Sequence, residues 1–164
     1  MSHLDQAARE FLTLGRVAVV GVSRSGDQPA NLIYRKLKTG DRQVFAVNPN
    51  AKTVEGDACF PDIASIPDGV DGAVIATHPD IASAVVDECA AAGIRQIWLH
   101  RSFGPGSVSV EAVERCRQLG LRAIPGACPM MYCEPVDPGH KCIRFLARIT
   151  GKLPRPVEPS AASR

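Results

Sequence analysis

The stretch RVAVVGVSRSG (residues 16–26) decides the fold. Val17, Ala18, Val19 and Val20 run without a polar interruption and stop at Gly21. A short run that is apolar at every position has both faces buried, which is the pattern of a strand inside a parallel sheet. The loop that follows reads Gly-Val-Ser-Arg-Ser-Gly, close to the G-x-G-x-x-G pattern that precedes a dinucleotide-binding helix, with Ser23 in place of the middle glycine. Gly21 permits the tight turn. Ser23 brings a hydroxyl that can donate to a phosphate, and Arg24 brings a charged fork of donors. A helix should follow, capped by Asp27, with Pro29 in its first turn and Leu32, Ile33 and Leu37 on its apolar face. The plain alternative is that the loop is a structural turn.

Working outward, the same grammar repeats. Residues 3–14 have helical spacing of Leu4, Ala7, Ala8, Phe11 and Leu12 behind a Ser2 cap. Residues 44–47, 71–76, 94–99 and 121–124 read as further strands. Pro79 opens a helix with Ile81, Val85 and Cys89 on one face. Ser109 caps one carrying Val113 and Cys116, and Asp137 and Pro138 start a last one that Gly151 stops. Residues 152–164 are rich in Pro and Ser and read as a flexible tail. Strands alternating with helices imply βαβ units with right-handed crossovers. The expectation is one Rossmann-like α/β domain over residues 1–151, an open parallel sheet of about five strands with helices on both faces. Ligands of such sheets bind beyond the carboxyl ends of the strands. The segments to watch are therefore 21–26, 48–52, 77–79, 100–106 and 125–129.

Composition removes several function classes. A net charge of +2 is too small to imply nucleic acid, and 5% aromatics offer no platform for stacking bases. No apolar run approaches the ~20 residues that span a bilayer. The N-terminus carries Asp5, Arg9 and Glu10 and does not read as a signal peptide. A cytoplasmic location is the expectation, and there six cysteines are thiols or ligands rather than disulfides.

The second strand selects the nucleotide. NAD-binding domains place an acid at its end to hold the ribose hydroxyls. Here it ends VFAVNPN (residues 44–50), with no acid until Glu55. Asn48 and Pro49 offer an amide and a rigid turn instead. Arg24, Arg35 and Lys52 are placed to surround a phosphate on a ribose, a feature shared by NADP and coenzyme A.

The segments VAVVGVSR, VFAVNPN and GVDGAVIATHP resemble the CoA-binding domain of the succinyl-CoA synthetase alpha subunit. They are more similar still to the small stand-alone CoA-binding proteins built from that domain. The resemblance spans roughly residues 15–129. The phosphate loop alone is weakly specific; the ordered set of loop, Asn-Pro turn and later GACP (residues 126–129) is more so. The resemblance implies CoA or an acyl-CoA as ligand. It implies that Gly21, Ser23 and Arg24 hold the phosphates; Val22, within the same loop, and Lys52, read above from its charge, complete the expected ligand contacts on that side. Val47, Asn48 and Pro49 would flank adenine and ribose, and Thr77, His78 and Pro79 would line the pocket. Only the Cys128–Pro129 pair matches the synthetase's Asn-Cys-Pro segment. The synthetase's phosphorylated histidine belongs to a second domain that this sequence lacks, so the resemblance implies binding without ligase activity. The expected role is a small binding module acting alone, with a protein partner or as a homo-oligomer.

Two features leave chemistry open. His100 follows a strand and precedes the glycine-rich RSFGPGS (residues 101–107), where it is either a pocket histidine or a general acid or base aided by Arg101. Cys128, Cys133, His140 and Cys142 are soft donors within a short span. Against a metal, His140 and Cys142 lie two apart on a predicted helix and point to different sides. Buried or pocket-lining thiols are the favoured reading. Cys59, Cys89 and Cys116 read as core, and Lys141, Arg144 and Arg148 as a solvated basic stripe. The alternatives to a binding module are an enzyme acting on bound acyl-CoA through His100 or Cys128, an NADP-binding redox sensor, and a metal-dependent regulator.

Overall fold

The computed structural model describes residues 1–101, 104 and 106–159. Seven strands form one sheet in the order β3-β4-β2-β1-β5-β6-β7. The five expected strands are β1 (Arg16–Val20), β2 (Gln43–Val47), β5 (Gly72–Ile75), β6 (Gln96–Leu99) and β7 (Arg122–Pro125), all in parallel pairings. The count of about five is corrected by a hairpin, β3 (Thr53–Val54) and β4 (Asp57–Phe60). Its strand β4 pairs parallel with β2, and β3 closes the edge antiparallel. Glu55 and Gly56 make its two-residue turn with φ of 53° and 80°, the positive values that a tight hairpin turn requires.

Alternate residues of the strands feed two cores, as a doubly covered sheet demands. Val17, Val19, Val74, Trp98 and Ile124 face α1 (His3–Leu12) and α2 (Pro29–Lys38). Ala18, Val20, Ile75, Ile97 and Leu99 face α3 (Pro79–Ala91) and α4 (Val110–Gln118). Trp98 is fully buried and meets Phe11 edge-on at a centroid distance of 5.4 Å. Cys59, Cys89 and Cys116 are buried in these cores as expected. Ser2 caps α1 through a capping box with Asp5, while Ser109 and Asp137 cap α4 and α5 (Pro138–Ile149).

Some local expectations are corrected. Gln28, not Asp27, is the N-cap of α2, because Pro29 occupies the first helical position and fixes the cap one residue before it. Leu32 is 42% exposed, whereas Ile33 and Leu37 are buried. The basic stripe of α5 is only partly solvated. Arg144 and Arg148 both reach Asp5 on α1 at 2.7 Å, and the Arg144 guanidinium stacks over Tyr132. The apolar residues Phe145, Leu146 and Ile149 of α5 face outward. Part of the tail is tied down, since Val157 is buried and pairs with Ala123 across two backbone hydrogen bonds. Residues 160–164, at its end, lie outside the described residues. Among the described residues no helix is long and apolar enough to cross a membrane.

Candidate functional site

The sheet order reverses at β1. The chain leaves β1 toward β2 on one side, then returns to place β5 on the other. The loops beyond these strands part there and leave a crevice. A cavity of about 860 Å³ occupies it. Of the residues expected at the site, Gly21, Ser23, Val47, Asn48, Pro49, Thr77, His78, Pro79 and His100 line this cavity. Val22, Arg24 and Lys52 do not. Val22 is fully buried in the core beside α2, while Arg24 and Lys52 point to solvent. No lysine or arginine is among the described lining residues.

The loop after β1 is shaped by close backbone packing. Gly21 has φ of 102°, and a Cβ there would meet the Ala76 carbonyl oxygen at 2.6 Å. Its N–H donates to Val47 O at 2.9 Å, which ties the loop to the end of β2. Asn48 spends its side chain on the same task. Its Nδ2 donates to Val22 O at 2.8 Å and its Oδ1 accepts from Asn50 N at 2.8 Å. The Ser23 N–H donates to Asn31 Oδ1, and Ser23 Oγ accepts from Ser25 N at 3.1 Å. Ser23 lines the cavity, and its hydroxyl is a donor available to a ligand there. The N–H groups of Arg24 and Ala30 donate to no acceptor among the described residues. Ala30 is at the start of α2, so the positive end of that helix dipole faces the cavity together with Gln28 and Pro29. Backbone donors and a helix terminus, without a lysine or arginine, make this rim suited to an anion such as a phosphate.

The opposite wall was not foreseen. Ile81, Ala84, Val85 and Glu88 lie on one face of α3 and line the cavity. Their spacing of three, four and seven is the signal that could have found them. Of the face expected to carry Ile81, Val85 and Cys89, Val85 and Cys89 are buried and Ile81 is 53% exposed. His78 begins this helix, its Nδ1 accepting from Asp80 N at 3.4 Å.

The floor is built by the ends of β5 and β6. His100 is 6% exposed, and burial pushes its imidazole down to about 4, so it is neutral near pH 7. Ser107, also missed from sequence, is 1% exposed and lines the cavity. Its N–H donates to His100 O at 2.8 Å. Gly106, with φ of 59°, packs so closely on the His100 carbonyl that a side chain has no room. Of the loop expected after His100, Ser102, Phe103 and Pro105 lie outside the described residues. Arg101 does not line the cavity; its Nε donates to Gly104 O at 2.9 Å.

The cysteine segment does not assemble into a metal centre. Cys128 and Cys133 are buried, Cys142 is exposed on α5, and His140 is bonded to Asp137 at 2.6 Å. Among the described residues no group of three or more His, Cys, Asp or Glu side chains is arranged to hold a metal ion. All six cysteines are free thiols, and none lines the cavity.

Comparison with known proteins places this geometry in a family. A family model described as a CoA binding domain matches residues 15–134. An ADP-forming acetate–CoA ligase II from Archaeoglobus fulgidus is 40% identical over 81 residues, 48% of this chain and 12% of the ligase. A hypothetical protein from Pyrococcus horikoshii OT3 superposes with a TM-score of 0.73 at 26% identity, covering 80% of this chain and 91% of that one. The dinucleotide-forming acetyl-coenzyme A synthetase 1 of Ca. Korarchaeum cryptofilum superposes with a TM-score of 0.59 at 31% identity, covering 67% of this chain and 25% of that one. The matched region is thus a small part of the ligases: 11–12% of the three curated relatives. The family match runs from the strand that opens the sheet through the loops that form the cavity, and on this ground the chain belongs to the CoA-binding-domain family.

Proposed function

We propose that this protein binds coenzyme A or an acyl-CoA in the cavity at the switch point and serves as an accessory module that holds or delivers it. The observation that carries this reading is the anion-suited rim: Ser23, the Ala30 N–H group and the start of α2 line the cavity where the family's loop sequence lies. The pyrophosphate would sit on that rim. Adenine would lie toward Val47, Asn48 and Pro49. The pantetheine arm would run along the apolar face of Ile81, Ala84 and Val85 toward His100. The match to one part of much longer ligases supports a role in which bound CoA is presented to another protein.

One observation favours a second reading, catalysis on the bound thiol or thioester. His100 is a neutral imidazole at the cavity floor, unprotonated and so able to accept a proton, with burial making it a weak base. Cys128, the other residue considered for chemistry, is buried away from the cavity lining. Arg24 and Lys52, expected around the ribose phosphate that NADP and CoA share, do not line the cavity, so the preference for CoA over NADP rests on the family match.

Native mass spectrometry and calorimetry with CoA, acetyl-CoA and NADP test the proposal. Binding of CoA with unchanged ligand after prolonged incubation is the expected result. An NADP complex without a CoA complex overturns it. Turnover of acetyl-CoA that is lost in His100→Gln with binding retained would establish the catalytic reading in its place.

A further inference from the structure

Ser23 faces the cavity, yet its position is set by residues that do not reach the cavity. Asn31, in the first turn of α2, is fully buried. Its Oδ1 accepts from Ser23 N at 2.9 Å. Its Nδ2 donates to Ser23 O at 2.8 Å and to Glu55 Oε1 at 2.7 Å. Both amide protons and the carbonyl are thus used, so the side chain is locked in one orientation. Glu55 comes from the turn of the β3–β4 hairpin and accepts from Arg35 Nη1 at 2.9 and 3.0 Å. Hydrogen bonds from Asn31 and Arg35 hold its carboxyl below the ordinary value, so it is an ionised acceptor for both. The same Arg35 nitrogen donates to Gly26 O at 2.9 Å. The contacts close a ring, from Ser23 through Asn31, Glu55 and Arg35 back to Gly26, that grips the loop at both ends.

We propose that Asn31, Glu55 and Arg35 are positioning residues that hold the loop after β1 in its ligand-ready shape, and that the β3–β4 hairpin serves the site by delivering Glu55. This rests on the reading of that loop as the phosphate-binding element. It also assigns a role to the first acid after β2. Glu55 does not reach a ribose at the cavity; it braces the loop from behind. A loop that is already ordered loses less freedom when the ligand arrives, and that saving appears as affinity. The benefit is confined to the part of the ligand that the loop touches.

The test uses the full chain and the hairpin residue Glu55, which is partly exposed, since Asn31 is fully buried. NMR-detected titrations of CoA, ADP and pantetheine are compared for the wild type, Glu55→Ala and Glu55→Gln. Exchange of the Ser23 amide is followed without ligand. Loss of the brace should weaken CoA and ADP by about fivefold to tenfold, the effect of one net hydrogen bond, and leave pantetheine unchanged. Glu55→Gln keeps an acceptor for Asn31 and should recover most of the loss. Ser23 exchange should quicken in Glu55→Ala. Equal CoA affinity in wild type and Glu55→Ala with unchanged Ser23 exchange overturns the proposal, as does an equal loss for pantetheine. If the wild type binds no CoA while Glu55→Ala still frees the Ser23 amide, the brace stands and the CoA reading falls.

Discussion

Ser107 Oγ donates to the carbonyl oxygen of Thr77 at 2.6 Å and so joins the loop after β6 to the loop after β5 across the cavity floor. Both residues line the cavity, and Ser107 is almost wholly buried. Replacing it by alanine leaves the partly exposed Thr77 carbonyl without that donor, a loss of about 0.5–1.5 kcal/mol, the net worth of one hydrogen bond. Ser107→Ala should lower the denaturant midpoint and weaken CoA binding together. Urea melts and calorimetry on the same sample check this; an unchanged midpoint would show that the bond contributes nothing.

Gly21 combines a positive φ with a close approach to backbone. With φ of 102° and the Ala76 carbonyl beside any added Cβ, Gly21→Val must move either the loop or the end of β5. CoA binding should become undetectable while the far-UV circular dichroism is retained. Ser23→Ala, by contrast, removes one donor and should weaken CoA by about threefold to thirtyfold.

His100 makes stability depend on pH in a defined direction. Its folded-state value lies near 4, below the ordinary 6.5. Between these values the unfolded chain binds a proton that the folded protein does not, so stability rises with pH across that window. It is complete above 6.5 and is lost as pH falls toward 4, by about 3 kcal/mol from this group. Urea melts of wild type and His100→Gln at pH 7 and 5 test this. The variant should show a shallower fall; parallel falls would mean that His100 is protonated in the folded state.

Asp5 anchors the two terminal helices to each other. Burial would raise its carboxyl, but hydrogen bonds from Ser2 and then Arg144 outweigh this and hold it below the ordinary value. Because both arginines keep contact with water, the pairs are worth less than fully buried ones. Asp5→Ala should destabilise the protein by about 1–2 kcal/mol and speed amide exchange in α5, with CoA affinity unchanged. Exchange confined to other helices would contradict this link.

The legible parts of the fold were those where the sequence speaks in long apolar runs. Residues 17–20 and 72–75 are buried on both faces and contain no polar break, so their strands could be read directly. The β3–β4 hairpin was missed because it is short and alternates Thr53, Asp57 and Ala58 with few apolar residues; its Glu55-Gly56 turn was the available signal. At the site, sequence identified the right loops but not the direction of each side chain. Val22 turns into the core and Arg24 and Lys52 turn to solvent, although all three flank cavity residues. Ile81 and Val85 were read as one apolar helical face, which looks the same whether it meets a sheet or a ligand; Val85 is buried in the core, and Ile81 is exposed and lines the cavity. Ser107 and Asn31 carry no local signature, since their partners are distant in sequence: thirty residues for Thr77 and twenty-four for Glu55.

CoA is expected to bind on the rim formed by the loop after β1 and the start of α2. Backbone amide shifts on titration with CoA test it most directly. The largest changes are expected at Ser23, Arg24 and Ala30, with a second set at Asn48 and Asn50. Changes that spare these amides and gather at the opposite end of the sheet, around Arg16, Gln43 and Phe45, would contradict it.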